Sequence, residues 1–299
     1  MLRARDRDTD GRVRTRKWRD LGRAWTDRRR AVGAFGMLVG MEQLKEDLDG
    51  IPVTLLLPAK CRGEVVLWLT HLGGNTERTL PMLERFADAG HPAVTFDPIL
   101  HGARSRTDDP WAFASHVLAS FRRRMWPIMG QSTLEAMRVL TWAQERTGQH
   151  GGVLAGGVSM GGDIAVALSG IDDRVRRVAA VGSTPNWCRP DMRELHDPSI
   201  VVDQGDADRY AQWFADQLDP TLHLDRYTHG AAITFELGQQ DRHVPAHNAV
   251  HFRDQLNKLA PAATDRVRVQ IHAGLDHLGV TTSEEALTAA AAWLSVPVP

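Results

Sequence analysis

Cysteine is nearly absent from this 299-residue chain, which carries only Cys61 and Cys188. Two thiols cannot build a disulfide framework or a zinc site of the usual four-ligand kind, and they read as reduced cysteines of a cytoplasmic protein. Long apolar runs are missing too. No stretch of about 18 apolar residues occurs, which removes a transmembrane helix and, with it, a membrane partner. An excess of one charge is also lacking: 36 Lys and Arg stand against 37 Asp and Glu, for a formal net charge of -1. Such a chain has no overall field for nucleic acid or anionic lipid, so nucleic acid is not the expected partner. No internal repeat is visible. What remains, 42% hydrophobic and 24% charged residues, is the composition of a soluble globular chain with room for one large domain or two small ones.

The charge is unevenly placed. The first 30 residues carry +7, from twelve Lys and Arg against five Asp, and the rest of the chain carries -8. We read residues 1–40 as a basic N-terminal extension, a solvated arm whose other reading is a nucleic-acid- or partner-binding arm. Arg28, Arg29 and Arg30 ahead of the apolar segment Ala31 to Met41 imitate a twin-arginine export signal. No small-residue cleavage site follows, and the acidic stretch from Glu42 argues against it. Met37 and Met41 stand just upstream of the folded-looking region, so an over-extended start is another reading of the odd composition.

From about residue 51, short aliphatic runs alternate with amphipathic ones, the pattern of β/α units on a mostly parallel, doubly wound sheet. The expected strands are Ile51 to Leu57, Val65 to Thr70, Ala93 to Phe96, Val153 to Gly157, Val178 to Val181, Ala232 to Leu237 and Val267 to Ile271. Apolar periodicity predicts helices over Thr76 to Ala89, Gln131 to Arg146 and Glu284 to Leu294. Two stretches exceed a minimal alternation and are the natural sites of specificity. One is Thr107 to Gly130; the other, about residues 184–230, reads as a small helical cap inserted in a domain spanning 41–299. Most of their aromatics bury the cap against the core, and a few are expected to line a pocket, with Trp126, Trp187 and Trp213 as candidates.

The sharpest motif is Gly157-Val158-Ser159-Met160-Gly161-Gly162, placed where a buried strand meets a helix running from Met160 to Leu168. In a G-x-S-x-G elbow the serine occupies a strained turn, and small flanking residues let strand and helix approach. The hydroxyl is presented at the strand's carboxyl end. Free N–H groups at the start of the helix favour the negative charge that develops in acyl transfer.

With this elbow the chain resembles the α/β-hydrolase superfamily, and more narrowly the esterase branch near dienelactone hydrolases and prolyl-oligopeptidase-like esterases. The resemblance covers Gly50 to Leu294. It implies the order serine, acid, histidine. Gly238-Gln239-Gln240-Asp241-Arg242-His243-Val244-Pro245 looks like the family's G-x-x-D-x-x-V-P acid loop, which points to Asp241. Gly274-Leu275-Asp276-His277-Leu278-Gly279 resembles the loop that delivers the histidine, which points to His277. All three groups then lie on loops after strand ends, where ligands bind in open α/β sheets. Asp206, Asp208 and Asp276 compete as acids, and His243 and His247 as bases.

The resemblance also implies an oxyanion hole with two backbone donors, Met160 N–H after the nucleophile and one from the loop Thr70-His71-Leu72-Gly73-Gly74-Asn75. That loop departs from the family's H-G-x-G-G-N, with Thr70 and His71 where His and Gly would fall. Leu72 is the favoured second donor and Gly73 the alternative. His71 is either a structural loop residue or a substrate contact. Asp97, His101 and Arg104, in a D-x-x-x-H-G-x-R turn, read as structural and hydrogen-bonded to one another. No H-x-x-x-H pair or carboxylate spacing supports a metal. The expectation is therefore a serine esterase or lactonase acting on a small ester-like molecule without cofactor or metal, in a chain able to form a homo-oligomer. An acyltransferase or cyclase would use the same triad; a peptidase and a non-catalytic binding protein are weaker readings.

Overall fold

The computed structural model describes residues 41–295 apart from 229 and 262–265, together with residues 6–7 and 13–14. The latter form an antiparallel pair, β1 (Asp6–Arg7) and β2 (Val13–Arg14), within a separate unit, Met1–Gly40. The rest of the basic extension lies outside the described residues.

The second unit is built on an eight-stranded sheet ordered β3-β4-β6-β5-β7-β8-β9-β10. β3 (Glu42–Asp47) and β4 (Pro52–Leu57) make an antiparallel hairpin, and β4 pairs antiparallel with β6 (Ala93–Phe96). From β6 onward the pairing is parallel, through β5 (Val65–Leu69), β7 (Val153–Val158), β8 (Val175–Val181), β9 (Ala232–Gly238) and β10 (Val267–His272). Alternation along the strands divides the core in two. Leu67 and Leu69 face one hydrophobic layer with Met129, Ile164 and Phe252, while Val66 and Trp68 face the other with Phe86 and Ala290. Both faces are covered, so the central strands read as continuous apolar runs.

The first layer holds α2 (Pro110–Leu118), α3 (Phe121–Thr147), α4 (Met160–Ser169), α5 (Arg209–Leu218) and α6 (His247–Leu259). The second holds α1 (Thr76–Asp88) and α8 (Glu284–Ser295). A short α7 (His277–Thr282) links β10 to α8. Local chemistry sets the ends: Asp109 caps α2 with Pro110 in its first turn, and Gly148, at φ 66°, closes α3 in the left-handed conformation.

Three expectations change. β3 was not expected, because Glu42, Lys45, Glu46 and Asp47 give it no apolar stripe; it is an exposed edge strand, where charge discourages further pairing. α3 begins at Phe121 rather than Gln131 and runs through Pro127, so part of the first long stretch is helix. The cap carries one α-helix, α5, and two 3-10 turns, Pro220–Leu222 and Leu224–Tyr227, and its first half consists of turns and a single bridge, Arg193 to Val201.

Candidate active site

Ser159 sits at the corner between β7 and α4 with φ 51° and ψ -120°, a conformation a residue with a Cβ adopts only under constraint. Its N–H donates to Val181 C=O at 2.8 Å and its C=O accepts from Gly162 N–H at 2.9 Å. The flanking glycines are steric requirements. A Cβ on Gly157 would lie 2.6 Å from the Gly161 carbonyl carbon and 2.7 Å from Leu69 O, both backbone atoms.

The structure brings Ser159, His277 and Asp241 together from loops after β7, β10 and β9. Ser159 Oγ is 3.1 Å from His277 Nε2, and His277 Nδ1 is 2.8 Å from Asp241 Oδ2. A carboxylate only accepts, so His277 carries its proton on Nδ1 and turns a bare Nε2 to the serine hydroxyl. Asp241 is held in turn, its Oδ1 accepting from His243 N–H at 2.9 Å and Val244 N–H at 2.7 Å. All three side chains are nearly buried.

The competitors have other partners. Asp276 caps α7, accepting from Gly279 N–H at 2.7 Å, and Asp208 caps α5 and pairs with Arg123 at 3.2 Å. Asp206 is exposed in the cap. His247 is mostly exposed, 3.8 Å from Asp191. His243 lies near the site, its ring tilted against that of His277 at 5.0 Å, but its Nδ1–H donates to Arg193 C=O at 2.9 Å. Burial, with His277 and Arg189 nearby, pushes its pKa well below the usual histidine value.

Met160 opens α4 directly after the serine, where helix N–H groups lack intrahelical acceptors. Leu72 and Gly73 are the central residues of a turn closed by Gly74 N–H to His71 C=O at 2.9 Å, with Gly73 at φ 76°. His71 is exposed beside it, its Nδ1–H donating to Leu72 C=O at 2.9 Å. The tryptophans depart from expectation. Trp187 is wholly buried; Trp126 is 3% exposed and donates its Nε1–H to Trp187 C=O at 2.9 Å; Trp213 lies on the outer side of α5, 52% exposed against Phe214. The first two are core and the third is surface.

Asp97, His101 and Arg104 also organise differently from the mutual bonding expected. Asp97 accepts from Thr76 N–H, Thr76 Oγ1 and Ala103 N–H at 2.7–2.9 Å. Arg104 donates to the Asp97 carbonyl at 3.2 Å and forks onto Glu135 of α3 at 2.6 and 2.8 Å. His101 donates Nδ1–H to Ile99 C=O at 2.8 Å, and burial pulls its pKa down to about 4. A buried ion pair escaped the sequence reading. Asp163, in the first turn of α4, meets Arg189 of the cap, accepts Thr184 N–H at 2.7 Å, and is fully buried. Burial pushes its carboxyl pKa up against the pull of Arg189. The signal was available, a lone acid in the apolar run Met160-Gly-Gly-Asp-Ile-Ala-Val-Ala-Leu.

Among the described residues no group of three or more His, Cys, Asp and Glu is placed to hold a metal ion, and no helix is long and apolar enough to cross a membrane. Comparison with solved structures shows the same architecture in proteins of low identity. TT1662 from Thermus thermophilus matches at 20% identity and TM-score 0.60, over 85% of this chain and 96% of that one. A puromycin-hydrolyzing peptidase of Mycobacterium tuberculosis matches at 15% and 0.60, over 85% of this chain but 39% of its own. A thermostable carboxyl esterase from Bacillus coagulans matches at 12% and 0.51, over 79% and 90%. No curated protein sequence matches. The dienelactone hydrolase family model matches residues 51–296, nearly the whole second unit, and the chain, with its α/β-hydrolase fold, belongs to that family.

Proposed function

We propose that this chain is a serine hydrolase that cleaves a carboxylic ester or lactone of a small molecule through an acyl-enzyme on Ser159. The observation that carries this is the continuous hydrogen-bonded line from Ser159 Oγ through His277 to Asp241. Serine is a weak nucleophile until a base takes its proton, and the base needs an anion to fix its tautomer and stabilise its imidazolium form. In this reading His277 Nε2 accepts the proton as Ser159 attacks the carbonyl. The tetrahedral oxyanion is met by Met160 N–H and by the N–H of Leu72 or Gly73. His277 then protonates the departing alcohol, and a water deprotonated by the same nitrogen releases the acid. His71, exposed at the oxyanion loop, is the side chain best placed to touch substrate. The mechanism uses no cofactor.

Turnover of p-nitrophenyl acetate and butyrate tests the proposal. Wild type should release nitrophenol, and Ser159→Ala should lose about 10⁴-fold or more of kcat while keeping its fold. Equal turnover by the two proteins would contradict it. A second reading, peptide-bond cleavage, has the peptidase neighbours on its side; faster cleavage of a matched amide than of the ester would favour it.

A further inference from the structure

The described residues hold a second buried carboxylate–imidazole pair that the proposed chemistry does not use. Glu236 lies in β9 and His272 ends β10. His272 Nε2–H donates to Glu236 Oε2 at 2.8 Å, and Thr234 Oγ1 donates to Glu236 Oε1 at 3.0 Å. Glu236 is 1% exposed and His272 6%. The two are separated by 36 residues, as are Asp241 and His277, and each stands five positions before its counterpart.

The placement is informative. In the parallel register of β9 and β10, His272 lies opposite Gly238, where the acid loop leaves its strand. Beyond it the two loops are stitched by Gln239 N–H to His272 C=O at 2.9 Å and Gln240 N–H to Leu275 C=O at 2.8 Å. The Glu236 carbonyl also accepts from Gly182 N–H at 2.8 Å, and Gly182 lies beside His277, since a Cβ there would lie 3.7 Å from His277 Cε1. A buried ionisable pair of this kind is weak as a source of stability, because apolar residues of similar volume usually serve as well. The backbone ladder already joins the strands. What the pair adds is a directional bond that fixes the relative height and spacing of the two strand ends.

We propose that Glu236 and His272 are a positioning pair, holding the ends of β9 and β10 so that His277 Nδ1 meets Asp241 Oδ2. The kinetic consequence rests on the serine-hydrolase reading; the structural consequence does not. The other nitrogen of His272 faces Glu285 in the first turn of α8, 3.8 Å away and exposed, so the pair also borders the helix that follows the catalytic loop.

The test is the double variant Glu236→Met/His272→Phe in the full chain, an apolar replacement expected to keep a thermal midpoint near wild type. The first readout is the far-downfield proton resonance of His277 Nδ1–H, assigned by its loss in His277→Gln. It should move upfield or broaden into solvent exchange. The second is ester kinetics, where kcat should fall about tenfold or more with KM little changed, as expected for a shift of the reacting groups by a fraction of an ångström. Glu236→Gln, whose amide oxygen accepts the same bond, should restore both. If the double variant does not fold, Glu236→Gln/His272→Phe, which keeps an acceptor for Thr234 and leaves no buried charge, is read in the same way. A folded variant with wild-type resonance and wild-type kcat overturns the proposal. A wild type inert toward esters whose resonance still moves in the variant contradicts the hydrolase reading and supports the positioning role.

Discussion

Ser159 holds a backbone conformation that costs on the order of 1–3 kcal/mol for a residue with a Cβ, and surrounding bonds to Val181 and Gly162 sustain it. The same turn aims Oγ at His277 rather than at solvent. At this scale the motifs were informative. Ser159, Asp241 and His277 each sat in a recognisable loop, and rivals such as Asp276 and Asp208 are committed to helix caps. Side-chain depth was not legible, because composition does not tell which face of an element an indole occupies; Trp187 and Trp126 went inward. His101 shows how burial becomes a pH effect. Its folded pKa of about 4 lies below the unfolded value near 6.5, so the unfolded chain binds the proton first. The stability this site contributes is fully present above pH ~6.5 and is lost as pH falls toward about 4, a change of roughly 3 kcal/mol. His101→Asn, which keeps the donor to Ile99, should flatten the fall in urea midpoint between pH 7 and pH 5. An unchanged slope would remove His101 as a cause.

Elements were read best where the apolar pattern was pure. β5, β7 and the helix after Ser159 came within a residue or two, because their burial leaves continuous aliphatic runs. β3 was missed because an edge strand needs no apolar stripe. The first turns of α3 were missed because Pro127 reads as a helix boundary, although the helix runs through it. The junction of β7 and α4 is a close backbone approach, and it gives a sharp prediction. Gly157→Ala places its methyl 2.7 Å from Leu69 O and 2.6 Å from the Gly161 carbonyl carbon, atoms that cannot rotate away. It should cost about 3 kcal/mol or more and lower the thermal midpoint, as overpacked core sites do. Gly151→Ala, which meets nothing within 4 Å, is the control and should be nearly neutral. Equal midpoints for the two variants would mean that the strand and helix do not approach as described.

On the scale of the whole second unit, the insertion between β8 and β9 is tied through charge to the layer that holds Ser159. Arg189 leaves the cap, pairs with Asp163 in the first turn of α4, and lays its guanidinium 5.1 Å from the Phe121 ring of α3. One buried contact thus joins three elements around Ser159. Asp163→Ala strands a buried cation and should cost about 3–5 kcal/mol in urea unfolding, whereas Asp163→Leu with Arg189→Met should recover most of that. If the double variant is no better than the single one, packing rather than charge holds the cap. The sequence indicated a long insertion between β8 and β9, but not this tie: Asp163 stands out as a lone acid in an apolar run, whereas nothing marks Arg189 as its partner. The topology itself was legible because strand and helix alternate so regularly after residue 51.

Ser159, proposed as the nucleophile, is open to covalent capture. Wild type is treated with a fluorophosphonate, digested, and the adduct mapped by mass spectrometry, with His277→Gln in parallel. Wild type should carry one phosphonyl group on the peptide containing Ser159, and labelling should slow by orders of magnitude in His277→Gln. An adduct on another residue, or equal labelling of the two proteins, would contradict that role for Ser159.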